Sequence, residues 1–160
     1  MSRFLVLLAL LLPIQATAMG LPVAGLWLTQ DRDGVIGVEP CGERLCARIE
    51  GFFLDHPTDP TPVDYRGVSQ CHLPLISDAE QVAPNLWKGH ITDPRNGSVY
   101  RMELSLNGNG TLAMRGYLGI PLLGQTQTWT RYTGSVPENC RLIEPAGRPV
   151  VTRPGAGAAG

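Results

Sequence analysis

Apolar and polar residues alternate with a period of two over most of the chain between Ala24 and Tyr132, and clusters of turn residues break the alternation at short intervals. That period belongs to an extended strand with one buried face, because successive side chains point to opposite sides of a sheet. Seven segments, 25–30, 35–40, 45–53, 86–92, 98–106, 111–118 and 125–133, are predicted strands on this pattern. The breaks between them are Asp31-Arg32-Asp33-Gly34, the stretch from Cys41 to Cys46, Asp93-Pro94-Arg95-Asn96-Gly97 and Asn107-Gly108-Asn109-Gly110. Asn-Gly and Asp-Gly between alternating runs are strong hairpin signals, since these residues tolerate positive φ. Residues 72–82, with Leu73, Leu75 and Ile76, fit either a short strand or a helical turn across a barrel end. Residues 55–70 are rich in Pro, Asp and Thr and read as a long surface loop.

Alternation also assigns faces. Tyr100, Met102, Leu104 and Leu106 share one side of their strand, and Leu112, Met114, Gly116 and Leu118 share one side of the next. Ile36 and Val38 face inward with Leu45, Ala47 and Ile49, which turns Cys41 and Cys46 outward together. The prediction is all-β: a single antiparallel up-and-down β-barrel of about eight strands, closed so that no long edge is exposed. A barrel of that size is filled by side chains or holds one small ligand.

The first residues change the picture by adding a processing step. Arg3, the apolar run from Phe4 to Leu12, Pro13 and the small residues Ala16-Thr17-Ala18 have the form of a secretory signal peptide over residues 1–18. The run is too short to cross about 30 Å of hydrocarbon. The expected location is therefore periplasmic or secreted, with no membrane span in the mature chain. Residues 19–135 are assigned to the barrel domain and 136–160 to a C-terminal extension, expected to be mobile beyond about 144 because Pro, Gly and Ala dominate it. Without Arg3 the chain carries 12 basic against 14 acidic residues and no basic stripe, which argues against nucleic acid as a partner.

All four cysteines lie after the leader, and an oxidising compartment favours disulfides. Cys41 and Cys46 flank Gly-Glu-Arg-Leu at a hairpin tip and are paired with each other, leaving Cys71 for Cys140. A four-cysteine zinc site is disfavoured because paired Cys-x-x-Cys knuckles are missing.

Gly25-Leu26-Trp27, Glu39-Pro40-Cys41-Gly42 with Leu45-Cys46, Asp93 to Gly97 before Tyr100, and the block from Gly116 through Gly124 to Arg131 resemble the bacterial exported family catalogued as domain of unknown function 2147. The resemblance covers about residues 24–132 and implies a lipocalin-like barrel in the periplasm, with no established activity. The Cys71–Cys140 pair is not part of what it implies. Gly25-x-Trp27 on the first strand and Arg131 on the last are also similar to the wider lipocalin and avidin group, which implies structural roles for Trp27 and Arg131 as a stacked pair at the closed end of the barrel.

Candidate chemistry is sparse. His56, His72 and His90 are dispersed, and neither a Gly-x-Ser-x-Gly elbow nor a His-Glu-x-x-His helix is present, so the expected protein is not an enzyme and has no cofactor or metal. Asp55-His56 with Asp59 and Asp64 reads as a solvated loop, Asp31-x-Asp33-Gly34 lacks the downstream ligands of a calcium loop, and Asp93 to Gly97 reads as a turn whose Asp bonds its own amides. The candidate ligand-binding residues are the inward-facing Trp87, Tyr100, Met102, Met114, Gln127 and Trp129, with Ile91 nearby and Gly89 and Gly116 expected to leave room. Such a wall fits an open cavity for a small apolar or amphipathic ligand, and it equally fits a filled core. The second function class is a cell-envelope interaction module, docking a protein through Ile120, Leu122 and Leu123 if these are exposed.

Overall fold

A computed structural model describes residues 21–143 of the 160-residue chain. The predicted signal peptide and the predicted mobile tail lie outside the described residues. Among the described residues nine strands form: β1 Gly25–Leu28, β2 Gly34–Cys41, β3 Arg44–Leu54, β4 Pro74–Ala83, β5 Leu86–Thr92, β6 Val99–Leu106, β7 Leu112–Tyr117, β8 Gln125–Arg131 and β9 Arg141–Ile143. β1 to β8 run up and down, each antiparallel to the next, and β8 pairs with β1 to close an eight-stranded barrel. A single 3-10 turn, Pro121–Leu123, precedes β8.

The ambiguous segment at 72–82 is a strand. β4 pairs with β3 through two register shifts, Leu45 opposite Ala79, then Ala47 opposite Ile76 and Arg48 opposite Pro74. These bulges interrupt the period of two, which is why the alternation is hard to read there. Ile76 and Ala79 are buried inside all the same.

One end of the barrel is closed by the segment before β1. Val23 is buried, and its carbonyl accepts a hydrogen bond of 2.9 Å from the Trp27 indole. β1 and β8 share the pairs Trp27–Arg131 and Leu28–Thr130, and the Tyr132 amide beyond β8 donates to the Leu26 carbonyl at 2.9 Å. Arg131 supplements this short seam. Its guanidinium carbon sits 3.8 Å from the Trp27 ring centroid, and it donates to the carbonyls of Ala24 and Pro22 at 2.6 Å each.

The extension assigned to 136–160 begins as part of the fold. β9 runs parallel to the far half of β3, with Phe52 opposite Arg141, Phe53 opposite Leu142 and Leu54 opposite Ile143. A second, outer core forms there: Leu28, Val35 and Leu142 are buried, with Leu26, Phe53, Tyr132 and Val136 packed against them. Gly51 makes room for it, since a Cβ at that position would lie 2.6 Å from a Leu142 methyl carbon. The Cys71–Cys140 disulfide ties the same segment to the loop before β4, and the other disulfide joins Cys41 to Cys46 at the β2–β3 tip. Arg141 also reaches the long loop, donating to the carbonyls of Pro57 and Asp59 at 2.7 Å each.

Arg131→Lys is expected to lower stability by roughly 1–3 kcal/mol, because an ammonium loses the planar fork and the stack while leaving two carbonyls short of a donor. A urea midpoint equal to that of the wild type would show that the seam holds without them.

Candidate functional site

The register of β5 to β8 sets the inward side chains in rows. Trp87, Leu104, Met114 and Gln127 lie side by side; Gly89, Met102, Gly116 and Gln125 form the next row toward the loop end; Ile91 and Tyr100 lie beyond. Leu106, Leu112 and Trp129 form the row toward the closed end. Of the candidate ligand residues, Trp87, Met102, Met114 and Trp129 are buried, whereas Tyr100 and Gln127 are half-buried.

The middle of the barrel is packed. Met102 and Leu104 have no exposed surface, and the gap between them and Val38, Leu45, Ala47, Ile76 and Ala79 admits no water. The space expected beside Gly89 is taken by β4: a Cβ there would lie 2.7 Å from Asp78 Oδ1 and 2.9 Å from the Ala79 Cα. Gly89 is therefore a point of close strand approach. Gly116 does leave room, with no heavy atom within 4 Å of a Cβ built on it. Gln127 is engaged as well, since its Oε1 accepts the Trp129 indole N–H at 2.9 Å. The filled-core alternative describes this part of the barrel.

Space of ligand size lies at the closed end instead. A cleft of about 490 Å³, open to solvent, is lined by Pro22 and Val23 from the segment before β1, Pro84 and Asn85 from the β4–β5 turn, Trp87, Leu106, and residues 107, 108 and 110 of the β6–β7 turn. Its walls are largely apolar, and its volume falls in the range of small-molecule sites. Asn85 fixes the rim, donating to the Leu106 carbonyl at 2.7 Å and accepting from the Leu106 amide at 3.0 Å. Trp27 and Trp129 both donate their indole protons internally. The Trp87 indole N–H has no acceptor among the described residues, and since no buried side-chain polar atom there lacks a partner, this N–H reaches the surface. It therefore keeps a donor for solvent or a ligand.

A family model described as "Uncharacterized protein conserved in bacteria" (DUF2147) matches residues 25–131, which spans all eight barrel strands. The chain belongs to the DUF2147 family. No curated protein matches it. Among solved structures it is similar to the Helicobacter pylori protein HP1028, described as belonging to the lipocalin family, at 20% identity and a TM-score of 0.58, over 69% of this chain and 83% of that one. At that identity the likeness shows a shared lipocalin-like fold.

The loop end of this DUF2147 barrel has a different character. Leu122 and Leu123 are 82% and 76% exposed, and Ile120 and Leu118 are also exposed. Arg115 holds this connection in shape, donating to the Pro121 carbonyl and Thr126 hydroxyl at 2.7 Å each. The Asp93–Gly97 motif beside it is a self-contained turn: Asp93 accepts from the Arg95 amide at 2.9 Å and from its guanidinium at 2.8 and 3.0 Å. The Arg95 hydrogen bonds hold the Asp93 carboxyl below the usual range despite its partial burial. The acidic loop is likewise bonded to itself, Asp59 capping the His56 amide and the buried Asp64 accepting from the amides of Arg66 and Val68.

The residues missed by sequence reasoning are Pro22, Val23, Pro84, Asn85 and Leu106. Leu106 is legible as inward-facing, but a cleft made by two turns and a plug has no periodic signature. Gly89→Ala is expected to cost about 1–3 kcal/mol through overpacking against β4, whereas Gly116→Ala leaves the urea midpoint nearly unchanged. Equal midpoints for the two variants would contradict the packing described.

Proposed function

We propose that this protein is a non-enzymatic, periplasmic or secreted barrel that binds a small apolar or amphipathic molecule, and that the ligand sits in the cleft at the closed end against Trp87 and Leu106. The observation that carries the reading is a ligand-sized, mostly apolar space of about 490 Å³ next to a tryptophan with an uncommitted donor. The lipocalin-like fold supports it in general terms, and a leader of signal-peptide form supports export. Of the six candidate residues, Trp87 touches the ligand in this reading. Met102, Met114 and Trp129 form the packed barrel beneath.

Burial of apolar area contributes about 25 cal/mol per Å², and after the costs of ordering this gives roughly micromolar affinity for a modest ligand. Titration with fatty acids and quinones is expected to change tryptophan fluorescence, with most of the change lost in Trp87→Phe and affinity reduced at least about tenfold in Leu106→Arg by a charge in the apolar wall. Unchanged emission with every probe, together with native mass spectra free of co-purified molecules, would sink the reading.

A second reading rests on Leu122 and Leu123. Apolar side chains this exposed, held by Arg115 rather than folded over the barrel end, fit an envelope protein that docks on the loop end. Leu122→Asp with Leu123→Asp would abolish such docking and leave binding in the cleft intact.

A further inference from the structure

The polar groups around the cleft at the closed end are unevenly used. Trp87 is 5% exposed and its side chain faces the barrel interior, yet its indole N–H has no acceptor among the described residues. The cleft is the opening that this side chain lines, so the N–H is presented there. A buried indole ordinarily finds an acceptor, as those of Trp27 and Trp129 do. One left open in an apolar wall is a point where an incoming group gains a hydrogen bond that the protein does not itself make.

The acceptors of the same wall are engaged. The Pro22 carbonyl accepts from Arg131 at 2.6 Å and the Val23 carbonyl from Trp27 at 2.9 Å. The Pro84 carbonyl takes the Gln81 side-chain amide at 3.1 Å, and the Asn107 carbonyl takes the Gly110 N–H at 2.9 Å. Asn85 uses both ends of its amide group on the Leu106 backbone, which occupies that carbonyl as well. The lining is made of Pro, Val, Asn, Trp, Leu and Gly, so none of its described residues is ionisable. Arg131, the cation bonded to the Pro22 side, has its fork on two carbonyls and its face on Trp27. Lys88, next to Trp87 in the chain, points to the outer face and is 2.7 Å from Glu103.

We propose that the cleft selects an uncharged ligand whose buried polar atom is a carbonyl oxygen, that of a ketone, quinone or ester, hydrogen-bonded to the Trp87 indole N–H. The inference rests on the cleft being the binding site and narrows the class of molecule it takes. A carbonyl oxygen accepts from Trp87 and needs no acceptor in return, so both groups leave water with their hydrogen bond made. An ammonium head meets carbonyls that are already engaged. A carboxylate accepts as well as a carbonyl does, but it carries a charge into an apolar wall where no described cation is free to pair with it. The hydrocarbon body of the ligand lies against Val23 and Leu106 and contributes by burial alone.

The test holds the hydrocarbon body constant and varies the head. Four probes, 2-acetylnaphthalene, 2-ethylnaphthalene, 2-naphthoate and 2-naphthylmethylammonium, are titrated into the wild type and Trp87→Phe by calorimetry. The acetyl probe is expected to bind the wild type at least about tenfold more tightly than either charged probe. Trp87→Phe should weaken the acetyl probe about three- to tenfold more than the ethyl probe, which isolates the hydrogen bond from the loss of packing. In the wild type, the Trp87 indole proton should move further downfield with the acetyl than with the ethyl probe, a comparison that cancels the ring current and needs no variant. A charged probe that binds as tightly as the acetyl probe overturns the inference and leaves the cleft standing, as does an indole proton that moves alike with both neutral probes. Should none of the four move the Trp87 resonance, the cleft fails as a binding site and the inference fails with it.

Discussion

Closure of the barrel rests on a very short seam. β1 contributes two residue pairs to β8, and both central partners, Trp27 and Arg131, have second roles. Trp27 is fully buried and donates back to the Val23 carbonyl, which draws the leading segment across the barrel end. Arg131 covers the ring and takes the carbonyls of Ala24 and Pro22. A guanidinium suits this place because it stacks on the indole while its planar fork donates to two carbonyls. The plug formed by Pro22 and Val23 is also one wall of the cleft. The interaction that closes the fold thus shapes the space proposed for the ligand.

The packed middle limits what this barrel can hold. Met102, Leu104 and the close approach of β4 at Gly89 fill the depth that a roomier barrel would leave open. Interiors at this density have no slack for a ligand unless side chains move. Space of ligand size is therefore found at an end, where turns rather than strands line it. The outer core under Leu142 and the Cys71–Cys140 bond stiffen the opposite flank, along β3.

The strand order and most of the inward faces are legible in the sequence, because alternation and turn chemistry are local signals, whereas the pairing of Trp27 with Arg131 comes only from their likeness to the lipocalin and avidin group. β4 is legible only as one of two options, since its bulges against β3 break the period. β9 leaves no trace there: three residues paired in parallel are held by Cys140, Leu142 and the edge of β3, not by their own propensity. Alternation shows which face a side chain takes but not whether its neighbours leave it room. Gly89 and Gly116 share a row and look equivalent in the pattern, yet one is pressed against a backbone and the other is not.

The three tryptophans allow a direct test of where a ligand sits. Two of their indole N–H groups are committed, Trp27 to the Val23 carbonyl and Trp129 to Gln127. Nitrogen-15 spectra recorded while a medium-chain fatty acid is added should show the Trp87 indole resonance moving to saturation, with those of Trp27 and Trp129 nearly still. Movement centred on Trp129, or an unmoved Trp87 at saturating probe, would contradict the cleft.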